Sequence, residues 1–71
     1  MTKEQFKAYM DELKMSSSDI ALLTGNTPRA VQLWLSGTNP VPQSAALLLL
    51  AYRDGRIDDD WIVEMVATFR N

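Results

Sequence analysis

The side chains that most often carry enzyme chemistry are missing from this sequence. Its 71 residues include no Cys and no His, which removes the thiolate nucleophile, the commonest general base and the usual zinc ligands. The run Asp58, Asp59, Asp60 resembles a metal or catalytic carboxylate cluster. A helix start explains this run more simply, because acidic side chains stabilise the positive end of a helix dipole. We therefore expect no enzyme activity, no metal site and no cofactor.

The polar side chains of interest lie instead in the segment GNTPRAVQLWLSG, residues 25–37. Thr27 is a favoured N-cap, Pro28 suits the first helical position, and Gly37 suits the position after the last turn. The spacing of the apolar residues turns Val31, Trp34 and Leu35 inward. The segment therefore predicts a short helix with both ends capped, whose outer face consists of Pro28, Arg29, Gln32, Leu33 and Ser36.

Four further helices are predicted around this segment. Thr2 with Gln5, and Ser16 with Asp19, have the spacing of capping boxes, which predicts a helix after each cap. Gly25 is expected to end the second helix in the left-handed conformation. A fourth helix is predicted over residues 43–53 and a fifth over residues 58–70, with Asp58 as its cap. These elements predict an all-α, compact five-helix bundle that forms a single domain over residues 1–71.

The apolar residues recur at helical spacing and predict the core. Both Trp34 and Trp61 are expected to lie in it, whereas Leu22 should point outward. The fourth helix is apolar almost all round, so both of its faces need cover. The first and last helices contribute apolar stripes, Phe6, Tyr9, Met10 and Leu13 in one, and Trp61, Ile62, Met65, Val66 and Phe69 in the other.

Two short helices joined by a Gly-containing turn, with polar residues outside the second, describe a helix-turn-helix. The run LKMSSSDIALLTGNTPRAVQLWLSG, residues 13–37, resembles the phage-repressor and Cro-like helix-turn-helix family, the lambda-repressor-like domains. The residues that match the family pattern are Ser16, Ala21, Gly25, Thr27, Val31, Trp34 and Gly37. The resemblance places the helix-turn-helix at residues 16–37 and implies a transcriptional regulator whose third helix enters the major groove of double-stranded DNA.

The outer face of the third helix then supplies the predicted base contacts, from Pro28, Arg29, Gln32 and Leu33. Arg29 can pair with O6 and N7 of guanine, Gln32 can reach a base edge or a phosphate, and Leu33 can contact a thymine methyl group. Phosphate contacts are implied at the start of the second helix, in the turn, and at the end of the third helix and the loop after it. These predicted phosphate-binding residues are Ser17, Asn26, Thr27, Ser36, Thr38 and Asn39.

Two features depart from the family pattern: the chain has few cations, and Asn26 follows the turn glycine, where family members usually have an apolar residue. The formal net charge is −2, and residues 1–40 carry as many acidic as basic side chains. Few cations predict weak nonspecific binding to DNA, which a homodimer on a palindromic operator would offset by doubling the contacts. The helices at 43–53 and 58–70 complete the core and are expected to form the dimer interface, through Tyr52, Trp61, Met65 and Phe69.

An alternative from another functional class remains open. The acidic C-terminal half, with Leu22 and Leu33, also fits a protein-interaction module of the inhibitor or antitoxin type that reuses the fold for a protein partner. No apolar stretch approaches the roughly 20 residues of a membrane span. We therefore expect no membrane association and a cytoplasmic location, in a bacterial cell or a phage-infected host.

Overall fold

Five α-helices form the part of the chain that the structure, a computed structural model, describes, residues 1–69. They are α1 (Lys3–Leu13), α2 (Ser17–Thr24), α3 (Pro28–Ser36), α4 (Gln43–Arg53) and α5 (Asp59–Phe69), and these residues contain no strand. The Cα radius of gyration is 11.6 Å, close to the value of about 11 Å expected for a compact chain of this length. The prediction of a compact all-helical fold is therefore confirmed. The predicted last residue of α5, Arg70, lies outside the described residues.

The helix starts follow from local capping. The Gln5 N–H donates to Thr2 Oγ1 at 3.1 Å, and the Thr2 N–H donates to Gln5 Oε1 at 2.9 Å. The corresponding bonds between Ser16 and Asp19 are 3.2 and 2.9 Å long, so both predicted capping boxes are confirmed. At α5 the Trp61 N–H donates to Asp58 Oδ1 at 2.8 Å. The acidic run at residues 58–60 thus supplies a helix cap, as an N-terminal Asp does by accepting from orphan N–H groups.

The core lies where α1 and α2 both pack against α3 and α4. The Phe6 and Trp34 rings meet edge to face, with centroids 5.9 Å apart and planes at 74°, a favourable geometry for an aromatic pair. This contact fixes α3 to α1. The other buried core residues are Met10, Ile20, Ala21, Leu23, Val31, Ala45, Leu49 and Ile62.

The last helix is less buried than its apolar stripe predicts. Ile62 is its one buried residue among those described, and Trp61 is 43% exposed. The prediction that Trp61 belongs to the core is therefore wrong. Neighbouring helical residues point about 100° apart, so a helix that turns Ile62 into the core must turn Trp61 toward its edge. Leu47 on α4 is also exposed, so part of the apolar surface of α4 stays uncovered within residues 1–69.

Candidate nucleic-acid interface

The turn between α2 and α3 is braced by its own hydrogen bonds. Gly25 adopts φ 70°, which favours glycine, and the Asn26 N–H donates to the Ala21 carbonyl at 2.9 Å. The Asn26 side chain donates from Nδ2 to both the carbonyl and the Oγ1 of Thr24, at 3.1 Å each. Asn26 therefore fixes the turn, and its Nδ2 group is already engaged where a phosphate contact was predicted.

Helix α3 presents its polar face because its apolar face is anchored. Thr27 Oγ1 accepts from the Ala30 N–H at 3.1 Å, and Pro28 occupies the first turn, as predicted. Val31 and Trp34 are buried on the inner side. The predicted base-contacting residues Pro28, Arg29 and Gln32 are all exposed on the other side, whereas Leu33 is only partly exposed. The structure thus places three of the four on one accessible surface and leaves Leu33 at its margin.

One hydrogen bond links the exposed face of α3 directly to the start of α2. Gln32 Nε2 donates to Ser17 Oγ at 2.8 Å, between residues 15 positions apart in the sequence. Ser17 is a predicted phosphate contact and Gln32 a predicted base contact. The structure therefore joins the two into one polar unit, which the sequence did not indicate. The Ser17 hydroxyl proton is left to donate to a third group.

The residues that follow α3 form a second small network. Ser36 Oγ donates to the Leu33 carbonyl at 3.1 Å and lies 2.9 Å from Thr38 Oγ1. Because the single Ser36 proton goes to Leu33, Thr38 must donate to Ser36 across this contact. The Asn39 N–H donates to the Leu33 carbonyl at 3.1 Å, so the loop is held against the end of α3. The hydroxyl protons of Ser36 and Thr38 are both used in these hydrogen bonds. The exposed Asn39 side chain is therefore the donor that is more available to a phosphate.

Charge is distributed unevenly around this surface. In the described range, Arg29 is exposed and makes no ion pair. The carboxylates of residues 58–60 belong to the start of α5. There Tyr52 donates its hydroxyl to Asp59 Oδ1 at 2.9 Å, and this hydrogen bond to a carboxylate raises the pKa of the Tyr52 phenol above its usual value.

The predicted dimer residues fall into two places. Trp61, Met65 and Phe69 line one apolar groove together with Leu22, Leu48 and Val66. Phe69 is 83% exposed and Leu22 45% exposed. Tyr52 instead lines a second depression with Lys14 and Asp19, and this depression shares Leu22 and Ile62 with the groove. The structure therefore brings three of the four residues together and adds Leu22, the residue predicted to point outward.

A basic residue that sequence reasoning did not select also lies near the end of α3. The Lys3 side chain crosses Gly37, where a Cβ atom would lie only 3.0 Å from Lys3 Cδ and 3.2 Å from Nζ. Lys3, Gly37 and Asn39 share the lining of one open depression. No local signal predicts this contact, because 34 positions of sequence separate Lys3 from Gly37.

Residues 1–69 hold no group of three or more His, Cys, Asp or Glu side chains arranged to bind a metal ion. None of the described helices has the length and apolar character needed to cross a bilayer. Comparison with protein-family models, with curated proteins and with solved structures finds no match to this chain.

Proposed function

We propose that α2, the turn at residues 25–27 and α3 form a helix-turn-helix of the repressor type, and that the protein is a sequence-specific DNA-binding transcriptional regulator. One observation carries this proposal. Pro28, Arg29 and Gln32 stand exposed on a helix whose opposite face is fixed by buried Val31 and Trp34. Base readout needs donors held at defined angles, and a short capped helix anchored in the core provides them.

In the proposed complex, Arg29 and Gln32 read base edges while Ser17, Thr27 and Asn39 donate to phosphates. Thr27 Oγ1 accepts its capping bond, so its hydroxyl proton remains available to a phosphate oxygen. Pro28 has no side-chain donor and contributes apolar contact. In this proposal the protein acts as a small repressor or autoregulator in the cytoplasm.

The proposed regulator binds a palindromic operator as a homodimer. The groove containing Trp61, Met65 and Phe69 supports this part of the proposal, because its apolar side chains remain exposed in the single chain. Contiguous exposed apolar surface marks an interaction site more often than isolated apolar residues do. A dimer also doubles the phosphate and base contacts of a protein that carries few cations.

The first test is selection of binding sites from random duplex DNA by the purified protein. The proposal expects enrichment of a palindromic motif, with half-sites about one helical turn apart. Absence of any enriched motif at low salt would remove the DNA-binding proposal. Low salt is the permissive condition because phosphate contacts strengthen as salt falls.

A protein-interaction module is the second candidate, and one observation favours it. Leu22 and Val63 are exposed, at 45% and 62%, and line one depression beside α5, the helix that begins with acidic residues. Leu22 and Val63 also share a depression with Asp19 and Asp59, and an apolar surface beside acidic residues suits a basic, amphipathic segment of another protein. If no DNA motif is selected, this surface is the one to test, with Leu22→Ser as the disrupting variant and Leu47→Ser as its control.

A further inference from the structure

We infer that Lys3 and Asn39, brought together across Gly37, form a binding site for a backbone phosphate of duplex DNA. The inference rests on the proposed function and adds a contact outside the helix-turn-helix. Neither α1 nor Lys3 was assigned any part in binding from the sequence.

The backbone geometry at Gly37 creates the site. Gly37 has φ 81° and ends α3, and its lack of a side chain lets the aliphatic part of Lys3 lie across it. A Cβ atom there would meet Lys3 Cδ at 3.0 Å and Nζ at 3.2 Å, closer than ordinary van der Waals contact. The Lys3 ammonium group is thus held beside the loop that follows α3.

Charge and hydrogen bonding make this position suit an anion. Lys3 forms no ion pair within the described residues, although Glu4 follows it in the sequence, whereas Lys7 is paired with Asp11 at 3.5 Å. Asn39 lines the same depression, and its backbone N–H is fixed to the Leu33 carbonyl. An ammonium group and an amide next to each other, at the end of the helix proposed to lie in the groove, match the donors that bind phosphates.

A phosphate is favoured over a base edge as the ligand. Lys3 lies at the C-terminal end of α3, whereas base readout by a helix of this type uses its N-terminal residues. The contact is therefore independent of sequence. It partly offsets the low number of cations, because each neutralised phosphate releases counterions and strengthens binding at low salt.

The test measures duplex binding of the wild-type protein and of Lys3→Gln over a range of salt concentrations. Lys14→Gln is the matched control, because Lys14 is an exposed lysine at the opposite end of α1. Lys3→Gln is expected to weaken binding equally on selected and scrambled duplexes and to reduce the slope of log K against log salt by about 1. Lys3→Arg should keep the wild-type slope, and Lys14→Gln should leave it unchanged.

The experiment distinguishes failure of the inferred phosphate site from failure of the proposed function. If the wild-type protein binds the selected duplex but Lys3→Gln has the same salt slope as Lys14→Gln, the Lys3 site is wrong and the proposed function stands. If the wild-type protein shows no salt-dependent duplex binding, both are wrong. A circular dichroism melt of Lys3→Gln matching the wild type confirms that the lost slope reflects a lost contact.

Discussion

At the scale of residues, the most informative contact is the hydrogen bond from Gln32 Nε2 to Ser17 Oγ. A phosphate oxygen can only accept hydrogen bonds. A phosphate bound to Ser17 therefore accepts the hydrogen bond that the Ser17 hydroxyl group donates. Gln32 must then be the donor to Ser17, which fixes its amide with Oε1 free to accept. An amide held in this way favours a base that presents a donor, such as adenine N6 or cytosine N4.

Removal of either member of this pair should therefore also remove the effect of the other. We expect Ser17→Ala and Gln32→Ala to be non-additive in DNA binding, with a coupling energy of at least about 0.5 kcal/mol. The measurement is a double-mutant cycle of dissociation constants on the selected duplex. Thr27→Ser with Gln32→Ala provides a control cycle, because Thr27→Ser keeps the hydroxyl of a residue that is not bonded to Gln32. Additive effects of Ser17→Ala and Gln32→Ala would show that the two residues act separately.

At the scale of elements, the five helices differ in how firmly they are held. Helix α3 is fixed by buried Val31 and Trp34 and by the contact of Trp34 with Phe6. Helix α5 is anchored mainly by Ile62, with partly buried Val66 against the core, and by the hydrogen bond from Tyr52 to Asp59. The helix proposed to read DNA is thus held by buried contacts, and the helix proposed to form the dimer keeps Trp61, Val63 and Phe69 exposed.

The unequal burial of neighbouring residues on α5 gives a stability prediction. Ile62→Ala should lower the free energy of unfolding by about 2–5 kcal/mol, because it removes buried methyl groups and leaves a cavity. Val63→Ala is the control, since Val63 is 62% exposed, and should change it by less than about 0.5 kcal/mol. Urea unfolding at low protein concentration measures both. Equal losses would mean that α5 packs with a different face toward the core.

The elements themselves could be predicted from the sequence because their signals are local. Thr2 with Gln5 and Ser16 with Asp19 act across three residues, and the bounds of α3 follow from Thr27, Pro28 and Gly37. The packing of α5 could not be predicted in this way. Its apolar stripe is wider than the part of the core against which α5 packs. Only tertiary packing decides that Ile62 is buried and Trp61 is not.

The candidate site was predictable to a similar degree. Periodicity identified Arg29 and Gln32 as outward-facing, which the structure confirms by their exposure. The bond between Ser17 and Gln32 and the position of Lys3 over Gly37 join residues far apart in the chain. Helical periodicity carries no information on such contacts, because they depend on how one helix crosses another.

At the scale of the whole molecule, two surfaces correspond to the two proposed kinds of binding. One contains the exposed side of α3 with Ser17, Lys3 and Asn39, and the other is the apolar groove lined by Leu22, Trp61, Met65 and Phe69. The groove also reaches Gly25, so the second surface borders the turn between α2 and α3. Asp59, at the acidic start of α5, lines a neighbouring depression that shares Leu22 and Ile62 with the groove.

Dimerisation through the groove gives a concentration-dependent prediction. We expect the wild-type protein to sediment as a dimer at tens of micromolar, and Leu22→Ser with Phe69→Ser to shift it toward the monomer by removing apolar contact area. Leu47→Ser is the matched control, because Leu47 is exposed on α4 but does not line the groove. A wild-type protein that remains monomeric throughout this range would rule out the homodimer.

The most direct test of sequence-specific readout by α3 is the ratio of dissociation constants for the selected duplex and a scrambled duplex of equal length, at one salt concentration. We predict a ratio of at least about 10³ for the wild-type protein. Arg29→Ala should reduce this ratio about 5- to 150-fold, through loss of about 1–3 kcal/mol at one guanine position. Arg56→Ala, which removes another exposed arginine, from the turn before α5, should leave it unchanged. A wild-type ratio near one, or one that Arg29→Ala and Arg56→Ala affect equally, would contradict the proposed role of α3.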